Sequence, residues 1–152
     1  MAIFDALLDL YDDAELVASS TTDFLGATCK TIDWQAADLE MGQGEPLWLN
    51  IRVGTTAYVG GTNLNFILTA DTAAAGHDGS SDVVLQSGNR AVDSLTAGAW
   101  ILRCPLPVDV DTKRYLGLGV IGDGATTAGS INAWIDHGPQ SSYDTQVTTS
   151  NI

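Results

Sequence analysis

Residues 113–137, K-R-Y-L-G-L-G-V-I-G-D-G-A-T-T-A-G-S-I-N-A-W-I-D-H, limit the fold more than any other stretch. Tyr115, Leu116, Leu118, Val120 and Ile121 form an apolar, β-rich run, residues 122–129 are a Gly/Thr loop, and Ile131, Ala133 and Ile135 then recur at every second position. Successive side chains of a strand point to opposite faces, so that spacing places three aliphatic residues on one side of a strand. Two such runs around a Gly-containing loop predict an antiparallel hairpin.

The same alternation recurs upstream. In L-W-L-N-I-R-V (residues 47–53), Leu47, Leu49, Ile51 and Val53 share one face while Trp48, Asn50 and Arg52 share the other. That is the pattern of a half-buried strand. Further strands are predicted at 27–34, 64–70, 83–86 and 99–104, the last ended by Pro105 and Pro107. Residues 2–17 fit two readings: Phe4, Leu7, Leu8 and Tyr11 fall on one helical face, and an extended arm entering a strand near 7–18 fits as well. The extended arm is preferred. Residues 35–45, 54–62 and 71–82 are polar or Gly-punctuated loops. Residues 138–152 are a polar, Ser/Thr-rich tail.

Seven or eight short strands with no convincing helix after residue 20 predict one all-β domain over 1–152. Its expected form is a two-sheet β-sandwich with jelly-roll topology preferred, an N-terminal arm and a polar C-terminal tail. No repeat of fixed period appears, which argues against propellers and solenoids.

With 152 residues the chain can bury a core without staples. Only 16% of residues are charged, yet the net charge is −13. That balance repels phosphate backbones and anionic lipid, so neither nucleic acid nor membrane is an expected partner. Solubility alone also accounts for such a charge. The opening residues carry acids and no basic region, unlike a secretory signal. Cys29 and Cys104 are far apart and lack C-x-x-C spacing, which favours two free thiols over a disulfide.

Chemistry-bearing patterns are weak throughout. Gly122-Asp123-Gly124 with Gly129 resembles a phosphate loop, but a strand follows where a helix N-terminus is needed, so these read as turn glycines. His77 and His137 lack ligand-spaced neighbours. Asp78 with Asp82, and Asp109 with Asp111, fall short of a calcium loop and read as solvated acids. No nucleophile elbow occurs, and nothing selects a carboxylate pair from 19 acids. No catalytic residue, cofactor or metal is expected. Trp48 and Trp134 lie opposite the aliphatic residues of their strands, and are either core or part of a sugar platform or protein interface.

Four ordered pieces resemble a known family: M-A-I-F-D-A-L-L at 1–8, G-E-P-L-W-L at 44–49, K-R-Y-L-G-L at 113–118 and T-A-G-S-I-N-A-W-I-D at 127–136. In that order and spacing, over 1–137, the chain looks like the small capsid cement (decoration) proteins of tailed bacteriophages. The tail after 138 and the 71–82 loop depart from the pattern. The resemblance implies a jelly-roll-like, non-enzymatic subunit, bound in many copies outside an icosahedral shell of major capsid protein. Assembly would take place in a bacterial cytoplasm, and self-association as a dimer or trimer is expected with it. An apolar run at a terminus must be covered by something, so Ile3, Phe4, Leu7, Leu8, Leu10 and Tyr11 are the candidate capsid contacts. The rival expectations are a carbohydrate-binding or adhesion sandwich and a hydrolase with a paired-carboxylate cleft.

Overall fold

Alternating apolar positions build two antiparallel sheets in the computed structural model, which describes residues 8–18, 31–35, 46–74, 81–107 and 113–137. The strands are β1 (Asp9–Glu15), β2 (Thr31–Asp33), β3 (Trp48–Val53), β4 (Asn63–Asp71), β5 (Asp82–Gln86), β6 (Arg90–Ala91), β7 (Trp100–Pro105), β8 (Tyr115–Gly122) and β9 (Ser130–Asp136). A 3-10 turn, Val92–Ser94, follows β6.

One sheet runs β1-β9-β3-β7 and the other β2-β8-β4-β5, with the short β6 also on β4. With β6 set aside, first pairs with last, second with second-last, third with third-last, and β4 with β5. That nesting is a long folded-over hairpin wrapped into two sheets, which is a jelly roll. The expected fold class is the observed one.

The hairpin expected at 113–137 is not formed. β8 pairs with β2 and β4, whereas β9 pairs with β1 and β3 in the other sheet. Residues 123–129 therefore cross from sheet to sheet, a gap of about 10 Å that such a loop spans easily. In a hairpin, Leu116, Leu118 and Val120 would sit beside Ile131, Ala133 and Ile135; here the two rows belong to opposite sheets and both are buried in the shared core. Phe66, Leu64 and Leu68 of β4 complete that core with Leu49, Ile51 and Val53 of β3.

The crossover is tied down by its acid. The Asp123 carboxylate accepts the backbone N–H groups of Thr62 and Asn63, each at 2.8 Å, and the Asn63 side-chain amide at 2.9 Å. Asp123 thereby fixes the end of β8 to the start of β4, and the Gly-Asp-Gly loop is a structural turn.

From residue 8 on the chain is extended, in line with the preferred reading, but it is not an uncovered arm there. β1 is a sheet strand with register shifts on either side of Tyr11 and a left-handed Asp13 at φ 45°. Asp13 is held there by donors from elsewhere in the chain: the Thr55 N–H at 2.7 Å, the Thr55 hydroxyl at 2.6 Å and the Ser130 hydroxyl at 2.7 Å. Bulges of this kind let neighbouring residues face the same side. Leu10 and Tyr11 are consecutive and both buried, at 0% and 2% exposure.

Candidate interaction face

The outward face of the four-stranded sheet collects three of the chain's four tryptophans. β3 runs through its middle and contributes Trp48, Asn50 and Arg52, opposite its buried aliphatic row. Register sets their neighbours. Asn50 lies between Trp134 of β9 and Arg103 of β7, Arg52 between Asn132 and Trp100, and Trp48 between Asp136 and Pro105. Asn50 is only 1% exposed despite pointing away from the core, so this face is roofed by large side chains.

Trp100 and Arg103 share the face because the β3–β7 register shifts between Ile51 and Arg52. In a regular strand, residues three apart point to opposite sides. The extra residue at Ile101 turns Trp100 outward beside Arg52, and the two side chains meet. The Arg103 guanidinium carbon lies 4.6 Å from the Trp100 ring centroid. Trp100 also touches Trp134, with centroids 5.9 Å apart and planes inclined by 56°. At 48% exposure, Trp100 is the face's exposed aromatic. Arg52 Nε donates to the Gly98 carbonyl at 3.0 Å, and Trp134 Nε1 donates to Asp136 at 3.1 Å.

Two of the described cations are paired with acids. Lys113 is paired with Asp82 at 2.9 Å and Arg114 with Asp33 at 2.8 Å. The same Arg114–Asp33 contact is a fork, its second hydrogen bond at 2.9 Å, and it holds the Asp33 carboxyl below its usual range. Among the described residues neither Arg52 nor Arg103 meets a carboxylate. A guanidinium stacked on an indole keeps its edge N–H donors available, and that planar fork matches a carboxylate. One side of Trp100 is taken by Arg103 and its aromatic neighbour is steeply inclined, so the pair is not a flat platform for a sugar ring.

The other sequence-selected residues fall elsewhere. Leu8 is half-buried against the core, and Leu10 and Tyr11 are inside it. These last two cannot be surface contacts, because the chain's own sheets supply the cover that the sequence reading sought from a partner. Ile3, Phe4 and Leu7 lie outside the described residues, as do His77, Asp78, Asp109, Asp111 and Cys29. Asp82 is engaged by Lys113. Cys104 carries a free thiol and His137 is exposed. No group of three or more metal-capable side chains occurs among the described residues. Trp34 packs against the core with its indole N–H unpaired. Alternation along the strands marks Trp48 and Trp134 but not Trp100 with Arg103, because only the bulge brings those two together.

Fold and face together define a jelly-roll sandwich whose outward four-stranded sheet face carries three tryptophans and two arginines without carboxylate partners, on an acidic chain. The chain belongs to the Bbp16 family, whose sequence model matches residues 16–135; the family is phage-associated. That match covers Trp48, Arg52, Trp100, Arg103 and Trp134, and begins after β1. No curated protein matches the chain.

Proposed function

We propose that the chain is a structural, non-enzymatic cement protein that binds the outside of a phage icosahedral shell and bridges neighbouring major capsid subunits. The observation that carries this reading is the Trp/Arg sheet face, in a chain whose family is phage-associated. Trp and Arg are the residues most enriched where interface binding energy concentrates. A net charge of −13 is harmless outside a shell and awkward within one packed with DNA. A protein that binds only the assembled shell stabilises it by mass action. Ile3, Phe4 and Leu7 remain candidates for an arm contact, and self-association as a dimer or trimer would suit a capsid symmetry axis.

The test is gradient sedimentation of lysate from phage-producing cells, with this chain quantified in each fraction. Co-migration with a large particle, at a fixed ratio of order one per shell subunit, is the expected result. Recovery only as a small species would overturn the reading. Tryptophan fluorescence quenched by glycans would instead support the rival glycan-binding module, for which the inclined Trp100–Trp134 pair supplies no flat sugar platform.

A further inference from the structure

We propose that the outward face of the β1-β9-β3-β7 sheet reads carboxylates: Arg103, stacked on Trp100, and Arg52 dock an acidic surface segment of the shell subunit. This rests on the cement reading and names the chemistry of its contact.

Charge complementarity carries the argument. The protein has 19 acidic residues against six Lys and Arg. Among the described residues Arg114 meets a carboxylate, that of Asp33, while Arg52, Arg90 and Arg103 meet none. Of these three, Arg52 and Arg103 are nevertheless held in place, by something other than an acid. Arg52 is pinned by the Gly98 carbonyl and Arg103 by the indole of Trp100. Asp9 and Asp136 share this face but are paired in register with Trp134 and Trp48. Two pre-positioned forks therefore face outward with donors to spare. Once a partner covers the face, the neighbouring tryptophans would help to exclude water, which strengthens a charge-assisted hydrogen bond made there. The chain's net charge of −13 disfavours an acidic segment elsewhere and so favours docking at these two guanidinium groups.

Particles would be assembled with the wild-type chain, R103E, R52E/R103E, or R90E, the last on exposed β6 of the other sheet. Copies per particle would be measured at fixed salt. R103E is expected to lower occupancy at least about tenfold, as loss of one partner of a desolvated charge pair does. R90E is expected to bind like wild type, and isolated R103E to keep the wild-type melting temperature and oligomeric state. Among the described residues the Arg103 side chain has no hydrogen-bond partner; should the Glu variant nevertheless misfold, R103Q answers the same question. Wild-type occupancy by R103E and the double variant would overturn the inference while leaving the cement reading standing. Equal loss with R90E would reduce the effect to net charge and also overturn it. Loss of self-association by R103E would assign the face to a second copy, against the proposal. A wild-type chain absent from particles would remove both readings together.

Discussion

The ring of Tyr58 lies so close over Gly129 that a Cβ on the glycine would overlap its Cδ1 and Cε1. Gly129 has φ +150°, a conformation open to glycine and strained for other residues. Tyr58 cannot retreat. Its hydroxyl donates to the Leu16 carbonyl at 2.8 Å, and its ring meets Phe66 edge-on with centroids 5.7 Å apart. Burial accordingly raises its phenol far above the usual range. Gly129→Ala is therefore expected to cost about 3 kcal/mol, combining backbone strain with an overpacked contact. Urea unfolding checks this. A loss under about 1 kcal/mol would mean that the Tyr58 ring moves freely.

Tyr11 makes the complementary link between sheets, its buried hydroxyl donating to the Leu118 carbonyl at 3.0 Å. Tyr11→Phe removes that buried hydrogen bond and should cost about 1 kcal/mol. The same burial sets the limit of safe truncation. Removing residues 2–7 stops short of β1, whereas removing 2–11 deletes Leu10 and Tyr11 from the core. The shorter deletion should keep the cooperative melt and the longer one abolish it. Identical melts for both would place Leu10 and Tyr11 outside the cooperative fold.

Period-two alternation made β3, β4, β8 and β9 legible, because an aliphatic row at 49, 51 and 53 or at 131, 133 and 135 has few other uses. Partner choice was not legible. The apolar rows of β8 and β9 are satisfied equally by lying side by side in a hairpin or by meeting across a core, and a loop of this length allows either. Long-range register in the whole chain decides, through the β4–β8 ladder from Leu64↔Gly122 to Asp71↔Tyr115. Half of the face was visible for the same reason. Trp48, Arg52 and Trp134 follow from alternation, while Trp100 with Arg103 depends on a bulge that no residue pattern announced. Leu10 and Tyr11 looked like an apolar terminus awaiting a partner because their pairing partner, β9, lies over a hundred residues away.

Acid should act on the fold through turn carboxylates. Asp123 is held below its ordinary value of 3.8 chiefly by the N–H groups of Asn63 and Thr62. Asp13 is held below the same value chiefly by the hydroxyl and N–H of Thr55. Groups lowered on folding contribute stability that is fully present above the unfolded value and lost as pH falls through the folded one. Stability from these groups should therefore be flat from neutral pH to about 4 and decline below it. Asp123→Asn keeps an acceptor oxygen without the charge. It should melt below wild type at pH 7, and the gap should narrow as the pH falls below about 4. A gap that stays constant down to the lowest pH at which both remain folded would show that the carboxylate's charge is not what holds the turn.

Trp100 separates folding from docking. Its indole is half-exposed and on the outward face, so Trp100→Ala removes little buried area from the core. The expected stability loss is below about 1 kcal/mol, the ordinary range for surface substitutions plus one cation–π contact. Phe66→Ala, at the centre of the core with 0% exposure, should cost about 3–5 kcal/mol. Arg103, however, loses the surface that orients it when Trp100 goes, so the Trp100→Ala protein should fold normally and still bind shells poorly. The two effects are read independently, by thermal melt and by occupancy on particles. A large stability loss with normal occupancy would reverse the assignment, making Trp100 part of the fold's support and leaving Arg103 to find its geometry unaided.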